Sequence, residues 1–353
     1  MFAKVQEYFV FPEDVRRSSC KREATIFNQY VGQDGAVERL LDLVYEGYSN
    51  PQHAVRENVM LAGPPSTGKT TLVKSLVGIL NTPAVLTDSN QVNKGISIAG
   101  KNISGGPDTI IHLILDAWAR NRGMLRGVQA GSFAAYNLEA MTIFIDEIHG
   151  LSRKSSDALL KATERSDGML FGKDSVMDTK NVLWIGATTD WGKLSSAFRT
   201  RFMRIDLYPP SAEEVATIVQ LNTGWNMDTC RKVVFYGSTV AREALAFARS
   251  IERYAIRVGA TPADCVWACA QREGIDQFGM RRQRIEILQA LMANPDGMIL
   301  RNLCSVIFCE AEEMVKHWLP PLLFVKPALV KNDDNRYVIT EAGVEELKKR
   351  KLA

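Results

Sequence analysis

An apolar run, Val59-Met60-Leu61-Ala62, leads straight into Gly63-Pro64-Pro65-Ser66-Thr67-Gly68-Lys69-Thr70-Thr71, and a second, from Thr142 to Ile145, ends on Asp146-Glu147-Ile148-His149. No other feature narrows the fold as far. The first segment fits G-x-x-x-x-G-K-[ST], a strand-to-helix turn whose glycines let backbone N–H groups curl round phosphates. In that pattern Lys69 reaches the terminal phosphates and Thr70 gives its hydroxyl to Mg2+. The second segment supplies the complement: Asp146 can share the metal, and Glu147 can orient or deprotonate an attacking water. Together they predict hydrolysis of a nucleoside triphosphate.

Length and composition set the frame around that site. At 353 residues, with 46% hydrophobic and 24% charged residues, the chain is a globular protein too long for one ordinary core. The net charge of +3 neither demands nor excludes a polyanionic partner, because binding depends on local patches. No apolar run approaches the roughly 20 residues that span a bilayer, and Met1 to Cys20 carries charges throughout, so an intracellular, cytoplasmic protein without a membrane partner is expected. Six cysteines fit reduced thiols. The pairs Cys265/Cys269 and Cys304/Cys309 lack the C-x-x-C spacing of structural zinc.

Between Val59 and Leu207, short apolar segments alternate with helical patterns: Val59 to Ala62, Ala84 to Thr87, Thr142 to Ile145, Val182 to Ala187 and Met203 to Leu207. Strands alternating with helices predict an α/β fold, a parallel sheet covered on both faces, with the nucleotide at the carboxyl ends of the strands. A turn and amphipathic helix over Phe27 to Tyr45 precede it. Pro209-Pro210 closes the region, and Ser211-Ala212-Glu213-Glu214 reads as a capping box opening an all-helical stretch to about Gly274. Its longest helix, about Val240 to Arg257, carries Leu245, Ala248 and Ile251 at core-facing spacing. Thereafter come helices over Met280 to Met292, Ile299 to Ser305 and Glu310 to Leu323, then strands Ala328 to Lys331 and Arg336 to Thr340 joined by Asn332-Asp333-Asp334-Asn335. Three helices and a hairpin describe a winged helix. The expected domains are thus 1–210 (with a leader over 1–25), 211–275 and 276–353.

With these residues in place, the chain resembles the AAA+ ATPases and, among them, the RuvB family of branch-migration motors. Phe27-Asn28-Gln29-Tyr30-Val31-Gly32-Gln33 is similar to the family's adenine-contacting segment, and Gly63-Pro64-Pro65, Asp146-Glu147-Ile148-His149 and Gly186-Ala187-Thr188-Thr189 continue the likeness. The resemblance implies a P-loop ATPase domain, an all-α lid and a winged-helix domain, with ATP and Mg2+ as ligands. Tyr30 and Val31 would then contact adenine, and Thr189 would be the sensor 1 polar residue. Arg201 would be the arginine finger entering a neighbouring subunit's site, preferred over Arg199, and Arg242 the lid's sensor 2. It also implies a homo-oligomeric ring, a hexamer, acting on duplex or branched DNA such as a Holliday junction. On the winged helix, Arg336 and Lys331 are the implied phosphate contacts, alongside Lys326 and the tail cations Lys348, Lys349, Arg350 and Lys351. Arg281, Arg282 and Arg284 form a further cluster.

The departures from the family are specific. Ser66 stands where the family keeps a glycine, and Gly150 and Asp190 where it keeps arginines. Between Glu164 and Asn181 the family's longer, partly apolar hairpin docks on its partner RuvA; here the stretch is shorter and more polar. An insertion lies within 88–140, with an amphipathic helix (Ile110, Ile111, Ile114, Leu115, Trp118) and a loop carrying Arg120, Arg122 and Arg126, which either touches a partner such as DNA or is a solvated excursion. A clamp loader or replication initiator, a protein remodeller and a non-catalytic ATP-binding scaffold share enough of these features to stay open.

Overall fold

The computed structural model describes residues 30–49, 57–80, 84–98, 101–122, 127–130, 133–137, 141–164, 166–323 and 327–352. The leader, Phe27 to Gln29, Arg126 and Lys326, and the side chains of Trp118, Arg120 and Arg122, lie outside the described residues. The chain separates into two compact units, Met1–Glu214 and Val215–Ala353.

The first unit opens with helix α1 (Asp34–Ser49), then strand β1 (Asn58–Ala62), helix α2 (Lys69–Leu80) and β2 (Ala84–Asp88). After β2 come a short helix α3 (Ser89–Lys94), a hairpin of β3 (Gly95–Ile98) and β4 (Lys101–Ser104), α4 (Pro107–Arg122), and a second hairpin of β5 (Gly127–Ala130) and β6 (Phe133–Asn137). Then follow β7 (Met141–Asp146), α5 (Arg153–Ala162), a hairpin of β8 (Met169–Phe171) and β9 (Ser175–Asp178), β10 (Val182–Thr188), α6 (Ser196–Arg199) and β11 (Phe202–Asp206).

Five strands form a wholly parallel sheet in the order β11-β1-β10-β7-β2. Its strands are apolar almost throughout because both faces are covered. Alternation along each strand sends Met60, Ile143, Ile145 and Trp184 into a core with Ile110, Ile111 and Ile114 of α4. Val59, Leu61, Phe144 and Ile185 go to the opposite core, with Leu40 of α1 and Leu72 and Leu76 of α2. The expected apolar face of α4 is therefore core. The interval 88–140 and the stretch from Glu164 to Asn181 meet in one further sheet: β6 pairs in parallel with β9, giving the order β5-β6-β9-β8.

The capping box forms as the sequence suggests: Ser211 N–H donates to Glu214 Oε2 at 2.7 Å and Glu214 N–H to Ser211 Oγ at 3.2 Å, opening α7 (Ala212–Thr223). In the second unit, α8 (Met227–Tyr236), α9 (Ala241–Val258) and α10 (Pro262–Arg272) share a core with the end of α7. Ala244, Phe247, Ala248, Ile251 and Ala255 form the buried row of α9, with Leu245 on its flank rather than at its centre.

A second core of this unit joins α11 (Arg282–Met292), β12 (Met298–Ile299), α12 (Leu300–Ile307) and α13 (Ala311–Glu313). It continues through a wide turn at Met314–Trp318, α14 (Pro320–Leu323), β13 (Val330–Asp333), β14 (Arg336–Ile339) and α15 (Glu341–Lys349). The expected third helix is broken because prolines 320 and 321 cannot donate to the preceding turn. The hairpin is tighter than its sequence suggested. Only Asp334 and Asn335, at φ 45° and 63°, form the turn, the two-residue type whose left-handed centre suits Asp and Asn. β12 adds a third strand, and α15 closes the core with Leu347. Among the described residues no helix is long and apolar enough to cross a membrane.

Candidate nucleotide site

The site is assembled where β1, β7 and β10 end side by side. β1 delivers the chain into the loop 63–68. Gly63 is needed there because a Cβ would stand 2.4 Å from the Leu207 carbonyl oxygen. Its N–H donates to Thr188 O at 3.1 Å, tying the loop to the end of β10. Ser66 and Gly68 take left-handed φ values of 64° and 88°. Alternation of this kind turns successive N–H groups toward one side and makes an anion cradle. Thr67 braces it, its hydroxyl donating to Pro64 O at 3.0 Å, while Pro64 and Pro65 are exposed. The Lys69 ammonium, buried at 7% exposure, lies 2.8 Å from both Gly63 O and Pro64 O and so points along the loop.

The two predicted metal ligands are already neighbours: Thr70 Oγ1 donates to Asp146 Oδ2 at 2.9 Å. A hydroxyl and a carboxylate are hard oxygen donors, the set that suits Mg2+ with waters and phosphate completing its shell. The residues present therefore fit that ion. Thr71, one position on, is exposed at the start of α2. Tyr30 covers the loop from outside, donating to Thr67 O at 3.2 Å, and burial pushes its phenol up to about 12. A Cβ at Gly68 would stand 2.5 Å from the Tyr30 hydroxyl, so glycine is required there twice over. Val31 beside it is half-buried. Gln33 holds this segment to the end of β11, its side chain bonding both the N–H and the carbonyl of Tyr208.

Glu147 has the least ordinary geometry. Its backbone is left-handed, φ 47° and ψ 46°, which costs a side chain of this kind about 1–2 kcal/mol. The Thr189 hydroxyl donates to Glu147 Oε2 at 2.9 Å, and the Thr189 N–H lies 3.3 Å from the same oxygen. His149 Nδ1 is 3.2 Å from it and 2.9 Å from Thr188 Oγ1. Thr70, Asp146, Glu147 and Thr189 are thus brought together, the first three expected from the motifs and Thr189 from the resemblance. His149 was quoted only as part of a motif, and its contact with the glutamate is a structural addition.

The predicted arginines have local settings of their own. Arg201 donates to Ala197 O at 2.8 Å and pairs with Glu164 at 3.3 Å, with its side chain 28% exposed. Arg199 is engaged locally, donating to Leu194 O and Gly192 O at 2.8 Å. Arg242 lies in the first turn of α9, in the second unit, with an exposed side chain. On the hairpin of that unit, Arg336 donates to Gly297 O at 3.2 Å and Asp296 O at 3.4 Å, and Lys331 pairs with Asp333 at 3.2 Å. Arg350 is not a tail cation on the surface. At 4% exposure it binds Asp276 and Glu346 and lies over the Phe278 ring, 4.9 Å from its centroid. The cluster on α11 is likewise committed: Arg281 pairs with Glu273 at 2.9 Å, Arg282 pairs with Glu286 at 2.9 Å, and burial lowers the pKa of Arg284.

Residues 59–209 match the ATPase family associated with various cellular activities (AAA). Across most of its length the chain is 25% identical to the Holliday junction branch migration complex subunit RuvB of Ehrlichia ruminantium, with 91% of each chain aligned. It is also 25% identical to the RuvB of a Wolbachia from Brugia malayi, with 96% of each aligned. Residues 59–209 therefore carry an AAA-type ATPase domain, and the chain as a whole is similar to RuvB. The fold agrees: Thermotoga maritima RuvB, described as a Holliday junction branch migration motor, superposes with a TM-score of 0.63 at 20% identity, over 90% of this chain and 95% of that one. A mutant of that protein gives 0.65 at 20% identity, over 90% and 96%.

The three positions at which the resemblance leads one to expect another residue have physical settings. Ser66 accepts a backbone conformation that glycine adopts freely. At Gly150 a Cβ would stand 2.7 Å from the Oγ of Ser89 at the start of α3, which would have to turn away to admit it. Asp190 pairs with Lys193 at 3.2 Å, and that lysine lowers its carboxyl pKa.

Proposed function

We propose that this chain hydrolyses ATP at subunit boundaries of a homo-oligomeric ring, a hexamer, and spends the cycle moving duplex DNA through a Holliday junction. The observation that carries the hydrolytic part is the pairing at adjacent strand ends: Thr70 with Asp146 and Glu147 with Thr189, each at 2.9 Å. Together they set a metal-ligand pair beside a water-orienting carboxylate. The DNA part rests on the RuvB relatives, whose alignment runs through the second unit as well.

In this reading the backbone N–H groups of 63–68 and the Lys69 ammonium bind the phosphates, while Tyr30 and Val31 flank the adenine. Thr70 and Asp146 would hold Mg2+, directly or through water, and when bound it neutralises charge building on the phosphates. Glu147 takes the proton of the attacking water, and Thr189 holds both in line. Arg201 leaves Glu164 to meet the neighbouring subunit's γ-phosphate, a contact of the kind worth orders of magnitude in rate. Arg242 answers the same phosphate from the lid.

Arg336 and Lys331 grip the DNA backbone without reading sequence, as a motor on any sequence requires. A RuvA-like partner, if used, has to accommodate β6 alongside β9. We place the activity in the cytoplasm. Electron microscopy with ATPγS and a four-way junction tests the whole: rings around duplex arms are expected. Monomers without DNA density at saturating nucleotide refute it.

A further inference from the structure

The left-handed backbone of Glu147 persists only if its surroundings fix it. Its side chain is held by Thr189 and His149, but its main chain continues into a single turn, Ile148–Gly150, closed by Gly150 N–H donating to Glu147 O at 2.8 Å. That turn is gripped from outside by the side chain of Asn93. Asn93 Nδ2 donates to Gly150 O at 2.7 Å, and Asn93 Oδ1 accepts from Ser152 N–H at 2.8 Å. The carboxamide orientation follows from its partners, since a carbonyl can only accept and an N–H can only donate. Ser152 in turn caps α5, its Oγ accepting from Ser155 N–H at 3.3 Å.

Asn93 is itself rigidly placed. Asp88, the last residue of β2 and in register with Asp146, caps α3 by accepting from Gln91 N–H at 2.9 Å. Val92 is fully buried in the core beneath the sheet, and its carbonyl accepts from Gly106 N–H at 2.8 Å. Ser89 lies against Gly150, where a Cβ would stand 2.7 Å from its Oγ. The turn after Glu147 is thus clamped onto α3, which lies within the interval 88–140.

We propose that Asn93 is a positioning residue for hydrolysis: by holding Gly150 and Ser152 it keeps the Glu147 backbone left-handed and its carboxylate aimed at the attacking water. This rests on the ATPase reading above. None of its bonded partners is in the phosphate loop, so its role falls on the chemical step and not on nucleotide binding.

The test is steady-state ATP turnover by the full-length chain, with affinity for a fluorescent ATP analogue measured in parallel. Asn93→Ala should lower kcat about tenfold, the scale on which a small displacement of a catalytic group acts. Analogue affinity should stay within about twofold. In a Glu147→Gln background, where the carboxylate is already gone, the same change should alter the residual rate less than about twofold. Asn93→Asp keeps the acceptor for Ser152 but sets an oxygen against Gly150 O; it should lose at least as much activity, and it serves if the alanine variant does not fold. An unchanged kcat, or a full tenfold loss in the Glu147→Gln background, overturns the proposal. A wild type that binds ATP and hydrolyses none overturns the parent reading instead.

Discussion

Replacing Ser66 by glycine should make the chain more stable, an unusual direction for a change inside a phosphate loop. Ser66 sits at φ 64°, where an L-residue pays about 1–2 kcal/mol and glycine almost nothing. Against this, glycine enlarges the unfolded ensemble, which returns about 0.4–1 kcal/mol. The half-buried Ser66 side chain makes no hydrogen bond among the described residues, so little else is lost. The balance favours Ser66→Gly by about 0.5–1 kcal/mol, and in a unit of this size that raises Tm by about 1–4 °C. Gly68 supplies the opposite sign. There Gly68→Ala meets both φ 88° and a Tyr30 hydroxyl 2.5 Å from the new Cβ, so Tm should fall. Thermal unfolding without nucleotide, followed by the fluorescence of Trp184 and Trp191, reads both variants. A Ser66→Gly protein that melts at or below the wild type refutes the strain argument, whatever happens at Gly68.

Glu147→Gln should bind ATP with little change and lose at least about a hundredfold in turnover, the scale of a general base; retained turnover would remove Glu147 from the chemistry. If Arg201 acts across a boundary, inactive Arg201→Ala and Glu147→Gln chains should regain activity when mixed, because one keeps the finger and the other the base. Strictly additive, inactive mixtures would count against a shared site. Arg350→Met leaves Asp276 and Glu346 without their buried partner and should cost about 3–5 kcal/mol, visible as loss of cooperative unfolding in residues 215–353 by hydrogen exchange. An unperturbed exchange pattern would show that Arg350 is a surface cation after all.

The central sheet was legible because its strands are buried on both faces and so read as continuous apolar runs between helical patterns, with Gly63 and Asp146 marking two of their ends. Sequence spacing likewise carried the pairing of Thr70 with Asp146, since both motifs have fixed offsets from strand ends. What it could not carry were contacts made by residues with no motif. Asn93 lies in a polar run, Ser89-Asn90-Gln91-Val92-Asn93-Lys94, that suits a solvated turn equally well. Its bonds depend on where the 148–152 turn falls in space. The same holds for Arg350, which looked like one of four tail cations. Its burial is decided by Asp276 and Phe278, more than seventy positions earlier. The π-turn at Met314–Trp318 and the strand β12 were missed for another reason: both are set by packing around Leu319 and Tyr337 and not by local propensity.

Gly150 and the segment after β2 are best understood together. An arginine at 150, the residue the resemblance leads one to expect, needs room for a Cβ, and Ser89 Oγ is 2.7 Å from where that atom would lie. Without α3 the turn after Glu147 would lack the Asn93 side chain, which donates to Gly150 O and accepts from Ser152 N–H. Gly150 and α3 thus fit one another in this structure. Gly150 and α3 therefore sit beside the carboxylate proposed as the base: Thr70, Asp146, Glu147 and Thr189 make their mutual contacts, while the support beneath Glu147 is supplied by a helix that runs without a linker into the β3–β4 hairpin.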